Sequence, residues 1–128
     1  MFIRIAALLT ALGLGATGAG AQQLLDSYSA YIGIEDLFNS KGARLTQPWQ
    51  VLRQDRANFH RFGIRHAGDQ GDSFFASADN RAAMERMLMN GTMEPGARQM
   101  LLSGGATVFV DIYGTGRRGD FIAVTVAR

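Results

Sequence analysis

The sequence predicts an α+β domain: a small antiparallel sheet packed against about three helices. Three observations predict it. The C-terminal stretches Thr107–Tyr113 (TVFVDIY) and Phe121–Val126 (FIAVTV) both alternate apolar and polar residues, the period of a strand with one buried face. Glycine and arginine fill the connection between them, as in a β-hairpin. Between an earlier alternating stretch and this hairpin lie segments with helical spacing and helix caps.

The first residues, MFIRIAALLTALGLGATGAGAQQ, have the order of a secretory signal peptide. Arg4 gives the charged start, Ile5–Leu14 a short apolar core, and Ala19-Gly20-Ala21 a cleavage site before Gln22. A spanning helix needs about 20 consecutive apolar residues, and this run is shorter and dissolves into glycine. The expected product is a single small domain, residues 22–128, in the periplasm or the external medium, without a membrane span. One hydrophobic core is what a chain of that size can bury.

Tyr28–Ile34 (YSAYIGI) alternates, and places Tyr28, Ala30, Ile32 and Ile34 on one face of a strand. An isolated hairpin is only marginally stable, so this strand is expected to join the C-terminal one. Asn39-Ser40-Lys41-Gly42 has the residue types of a turn. Thr46 and Pro48 then suit a helix start, and Gly63 its end. Within that helix Leu52, Asp55, Phe59 and Phe62 fall on one face. Ile64–Ser73 reads as a polar loop. A second helix, Asn80–Asn90, is expected after a Ser77 or Asp79 cap, with Gly91 closing it. A third, short helix starts at Pro95 and stops at Gly104-Gly105, forming an antiparallel hairpin with the second.

Composition excludes several function classes. The chain has no cysteine, which rules out thiol nucleophiles, redox dithiols, disulfides and cysteine-ligated metals. It carries 13 basic and 11 acidic residues. Loss of Arg4 with the leader lowers the balance to about +1, and no basic stripe remains, so nucleic acid is not indicated as a partner. No cofactor motif is present. Neither Gly-x-Ser-x-Gly nor His-Glu-x-x-His occurs. Glu35, Glu85 and Glu94 lie in different elements, so spacing assigns no glycosidase-type carboxylate pair.

Asp55 stands out because an ionised carboxylate on a buried stripe is costly unless paired and hydrogen-bonded. It pairs with an arginine, of which Arg53, Arg56 and Arg61 are near in sequence, or it binds a ligand or acts as a base with His60 or His66. A five-residue helical offset turns Asp55 and His60 roughly 140° apart, against a dyad on one helix. His60, His66, Asp69 and Asp72 have the right types for a metal site but not the spacing, and the stretch from Asp69 fails as a calcium loop because Gly71 and Asn80 occupy ligand positions. Met84, Met87, Met89, Met93 and Met100 are dense enough to suggest copper handling, although core filling suits flexible side chains better.

Gly114-Thr115-Gly116-Arg117-Arg118-Gly119 matches G-x-G-x-x-G, yet a strand rather than a helix follows it, so the dinucleotide reading fails. A hairpin tip is expected there, with Arg117 and Arg118 available to an anionic group. The enclosed Arg118-Gly119-Asp120 is the cell-adhesion tripeptide, a pattern short enough to arise by chance. These readings favour a small non-catalytic binding module for an envelope protein, a polymer or a small anion, with Asp55, His60, Arg117 and Arg118 as candidate binding residues. The alternatives are a small hydrolase using Asp55 with His60 or His66, and metal carriage by methionine and histidine.

Overall fold

The computed structural model describes residues 22–127. The expected leader, residues 1–21, lies outside them. Strand β1 spans Gln23–Tyr31, and a 3-10 turn follows at Ile34–Leu37. Helix α1, Pro48–Ala57, continues into one π turn, Asn58–Phe62. A loop and a 3-10 turn at Phe74–Ala76 lead to α2 (Ala78–Ala82), α3 (Met84–Met89) and the two-residue strand β2 (Thr92–Met93). Helix α4 (Ala97–Ser103) precedes the hairpin of β3 (Thr107–Thr115) and β4 (Arg118–Ala127).

The sheet order is β1-β3-β4-β2. As expected, the N-terminal strand and the C-terminal hairpin form one sheet, packed against helices. Tyr28 lies opposite Val110, Val110 opposite Val124, and Ile112 opposite Ile122. With side chains alternating along each strand, this register puts Tyr28, Ala30, Val108, Val110, Ile112, Ile122 and Val124 on one buried face. Leu37, Val51, Leu52, Phe75, Met84, Met87 and Leu101 cover that face from the helical layer.

Four local expectations change. β1 starts earlier than alternation indicated, because the register shifts between Leu24 and Asp26; a bulge there breaks the two-residue period. Ile34 is 69% exposed, since the strand ends at Tyr31 and the chain turns into the 3-10 segment. The sheet is mixed rather than purely antiparallel: Thr92 and Met93 pair in parallel with β4 at Ala123 and Val124, in the stretch expected to be a helix–helix turn. The expected second helix breaks at Ala83 into α2 and α3. Gly91 lacks a positive φ; it is needed because a Cβ there would stand 1.8 Å from the Ile122 carbonyl oxygen.

The first helix shows why a regular stripe misplaced one aromatic. Gln47 is its N-cap, and the Gln50 side chain accepts from the amides of Thr46 and Gln47. Leu52, Asp55 and Phe59 are buried as the spacing predicts. Phe62 is 44% exposed. The π turn is wider than an α turn, so the last member of the stripe falls out of phase. Gly63 then closes the helix with φ of 68°.

Candidate functional site

Asp55 and Arg56 are both buried, although adjacent residues on a helix do not share a face. Helix α1 is enclosed from more than one side, by the sheet through Tyr28 and by the loop through Gln70 and Asp72. The Arg56 Nε donates to Asp55 Oδ2 at 2.8 Å, and its Nη1 donates to Asp72 Oδ1 at 2.8 Å and to the Gln70 carbonyl at 2.9 Å. The guanidinium lies 4.0 Å from the Tyr28 ring centre and 4.7 Å from that of Phe59. Asp72 also meets His60 Nε2 at 2.9 Å and accepts the Phe75 amide at 2.5 Å. Asp55 and His60 therefore belong to one chain of contacts, linked through Arg56 and Asp72 rather than touching.

Both partners of the buried pair have raised pKa values, which favours the neutral form of the carboxyl and the charged form of the guanidinium. Burial pushes the Asp55 carboxyl up to about 7, while Arg56 pulls it back and Asp36 adds to the rise. Burial also works against the Arg56 charge, but Tyr28, Asp55 and Asp72 outweigh it and push its pKa up. One guanidinium between two carboxylates stays charged, and Asp55 is the group that takes up a proton. Burial raises the Tyr28 phenol well above its usual range, and its hydroxyl has no hydrogen-bond partner among the described residues.

His66 belongs to a separate cluster. Its Nε2 meets Glu35 Oε2 at 2.8 Å, and its Nδ1 lies 3.6 Å from Asp69 Oδ2 and 3.9 Å from Asp36 Oδ2. Burial disfavours the charged ring, but the Glu35 bond and the charges of Asp36, Asp69 and Glu35 outweigh it and raise the pKa. Asp69 also accepts the amides of Tyr31 and His66, which fastens the loop to the end of β1. Asp36 is buried, which raises its pKa against the bonds from Asn58 and the Gly33 amide. Asp55 bonds to neither histidine. The proposed metal quartet divides into His60 with Asp72 and His66 with Asp69. Among the described residues no group of three or more His, Cys, Asp or Glu is placed to hold a metal ion.

The hairpin tip places Arg117 and Arg118 in solvent, with Gly116 at φ of 63° in the two-residue turn. Arg118 reaches Asp120 at 3.5 Å, and Asp120 also accepts from Gln22 and Thr115. Gly119 is buried against Phe74 and Met87, so the adhesion tripeptide is not a free loop. Met84 and Met87 are core residues, whereas Met89 is 77% exposed.

Sequence reading missed a different grouping. Arg53, Arg61 and Arg81 line one open pocket of about 260 Å³, with Gln54, Ala57, Ala78 and Ala82. No carboxylate lines it, and none of the three arginines forms an ion pair among the described residues. Each is nevertheless held in place. Arg53 stacks 5.0 Å from the Trp49 ring centre and Arg61 5.0 Å from that of Phe62. Arg81 donates to the carbonyls of Phe75 and Ala76. The spacing Arg53, Ala57, Arg61 is a four-residue helical stripe visible in the sequence. Arg81 joins it only through packing of α2 on α1.

Comparison with family models, with curated proteins and with solved structures found no match to this chain.

Two further pockets bear on the choice of site. A groove of about 650 Å³ is lined by Gly96, Gln99, Met100, Leu102, Ser103 and Arg44. The Arg44 guanidinium donates to the carbonyls of Leu37, Leu45 and Leu102, and this groove has that one cation in its lining against three in the arginine pocket. An apolar pocket of about 280 Å³ lies beside the arginine pocket and shares Gln54 with it. Phe38, Phe62 and Ile64 give it its apolar walls.

Proposed function

We propose that this protein is a small binding module working outside the cytoplasm, and that it takes its ligand through an anionic group. The observation that carries the reading is the pocket of Arg53, Arg61 and Arg81, three cations with no carboxylate among them. Like charges brought together repel, and an anion that accepts from several guanidiniums converts that cost into affinity. Binding rather than catalysis is supported by the fate of the titratable groups. Asp55, Asp72 and His60 are spent on Arg56 and one another, and His66 on Glu35. An anion-bearing envelope polymer, envelope protein or free small anion would each supply the ligand chemistry.

Titration with inorganic phosphate, followed by amide chemical shifts, tests the reading. Shifts are expected around residues 53–61 and 78–82, weakening with added salt and lost in Arg53→Gln and Arg61→Gln. Unchanged spectra at millimolar phosphate would remove the proposal. The location rests on the leader: mass spectrometry of the protein from its source cells should find a terminus at Gln22, and an intact Met1 terminus in the cytosol would overturn it.

A further inference from the structure

We infer that the ligand is an amphiphile, a phosphomonoester lipid whose head sits on the three arginines and whose acyl chain enters the pocket of Phe38, Phe62 and Ile64. The inference rests on the anion-binding reading above and names the ligand for that site. Three features of the surface carry it.

The cationic and apolar pockets are neighbours. Gln54 lines both, and the consecutive residues Arg61 and Phe62 line one each. Their stacking, 5.0 Å from guanidinium carbon to ring centre, puts a side chain of one pocket in contact with a side chain of the other. The apolar side chains of the second pocket are exposed: Phe62 is 44% exposed, Ile64 38% and Phe38 36%, and water solvates them poorly. Its one acidic lining residue, Glu35, is half-exposed and hydrogen-bonded to His66.

The head group follows from the donors. A phosphomonoester carries about −1.5 to −2 charges and three acceptor oxygens. That matches three guanidiniums better than one carboxylate, which brings a single charge and two oxygens. The tail follows from the neighbouring pocket, where two aromatic rings and an isoleucine stand among Glu35, Asn39, Ser40, Gln54 and Asn58. The π turn is what makes the pairing possible. It swings Phe62 out of the core stripe to the surface, while Arg61 stays in line with Arg53 and Ala57.

The test compares three soluble probes by calorimetry, with the protein recovered after expression of the full chain. Dihexanoyl phosphatidic acid supplies head and tail, inorganic phosphate the head alone, and dihexanoyl phosphatidylcholine the tail with a neutral head. Phosphatidic acid is expected to bind about tenfold or more tighter than phosphate, and phosphatidylcholine not to bind measurably. Phe38→Ala and Ile64→Ala, both at exposed positions, should bring the phosphatidic acid and phosphate affinities together. Equal affinities in the unaltered protein would overturn the lipid and leave the anion site standing. An acidic amphipathic peptide binding tighter than phosphatidic acid would overturn it in favour of a protein partner. Failure of both phosphate and phosphatidic acid to bind would remove the anion site as well.

Discussion

Helix α1 carries arginines into two opposite environments. Arg56 is wholly buried and meets two carboxylates, a carbonyl and two aromatic rings. Arg53 and Arg61, on the exposed side of the same segment, meet aromatic rings and no acid. Placing a guanidinium in the interior is tolerable only with its charge answered on the spot. At the surface, water answers it, so missing acids cost little and leave the charge available. The comparison separates the arginine that holds the fold from those open to a ligand. Charge count alone does not make that distinction, since all three side chains are identical.

The largest expected effect tests the buried side. Arg56→Ala leaves Asp55 and Asp72 facing each other without a counter-ion and should destabilise the fold by about 3–5 kcal/mol, read from denaturant unfolding; Asp55→Ala should cost about 3 kcal/mol. A loss below about 1 kcal/mol in both would mean that water reaches the pair and that the contrast with the surface arginines is false.

A second test uses pH. The Asp55 pKa is raised from 3.8 to about 7 in the folded state. Between those values the folded protein binds more protons than the unfolded chain, so stability falls as pH rises from about 4 to about 7. The raised His66 pKa acts in the same direction at higher pH: its contribution is complete below the unfolded value near 6.5 and is lost as pH climbs through the folded value. Melting temperatures should show both slopes, with Asp55→Asn flattening the lower and His66→Gln the upper. A wild-type profile rising across pH 4–7 would contradict the buried carboxyl.

The surface side predicts small changes. Arg53→Gln and Arg61→Gln should alter stability by no more than about 0.5 kcal/mol, while abolishing the phosphate response. Loss of stability matching that of Arg56→Ala would place them in the structural class. At the hairpin tip, Arg117→Gln and Arg118→Gln should be the quietest substitutions, because the exposed Arg118–Asp120 pair contributes little. Chemical shifts at Gly116 and Gly119 that follow phosphate more strongly than those of α1 would relocate the anion site to the tip.

Much of the scaffold was legible from spacing. Val108, Val110 and Ile112 against Ile122 and Val124 state the hairpin and its buried face, because side-chain alternation is a property of the local backbone. Asp55 was legible as a buried carboxylate, but its partner was not. Three arginines lay near it in sequence, and Arg56 was selected by the loop bringing Asp72 and Gln70 to it. The bulge near Leu25 and the parallel pairing of β2 left no periodic trace, since each depends on a strand distant in sequence.

The sequence by itself determined the α+β class, the strand faces, the glycine-turned hairpin and the absence of thiol chemistry, all of which follow from residue type and local period. Only the tertiary structure decided which charges are consumed and which stay open. Arg81 comes to the pocket of Arg53 and Arg61 because α2 packs on α1, and Phe62 reaches the surface because one turn of helix widens. Both outcomes depend on distance in space, and a charge finds its partner there, whatever the separation along the chain.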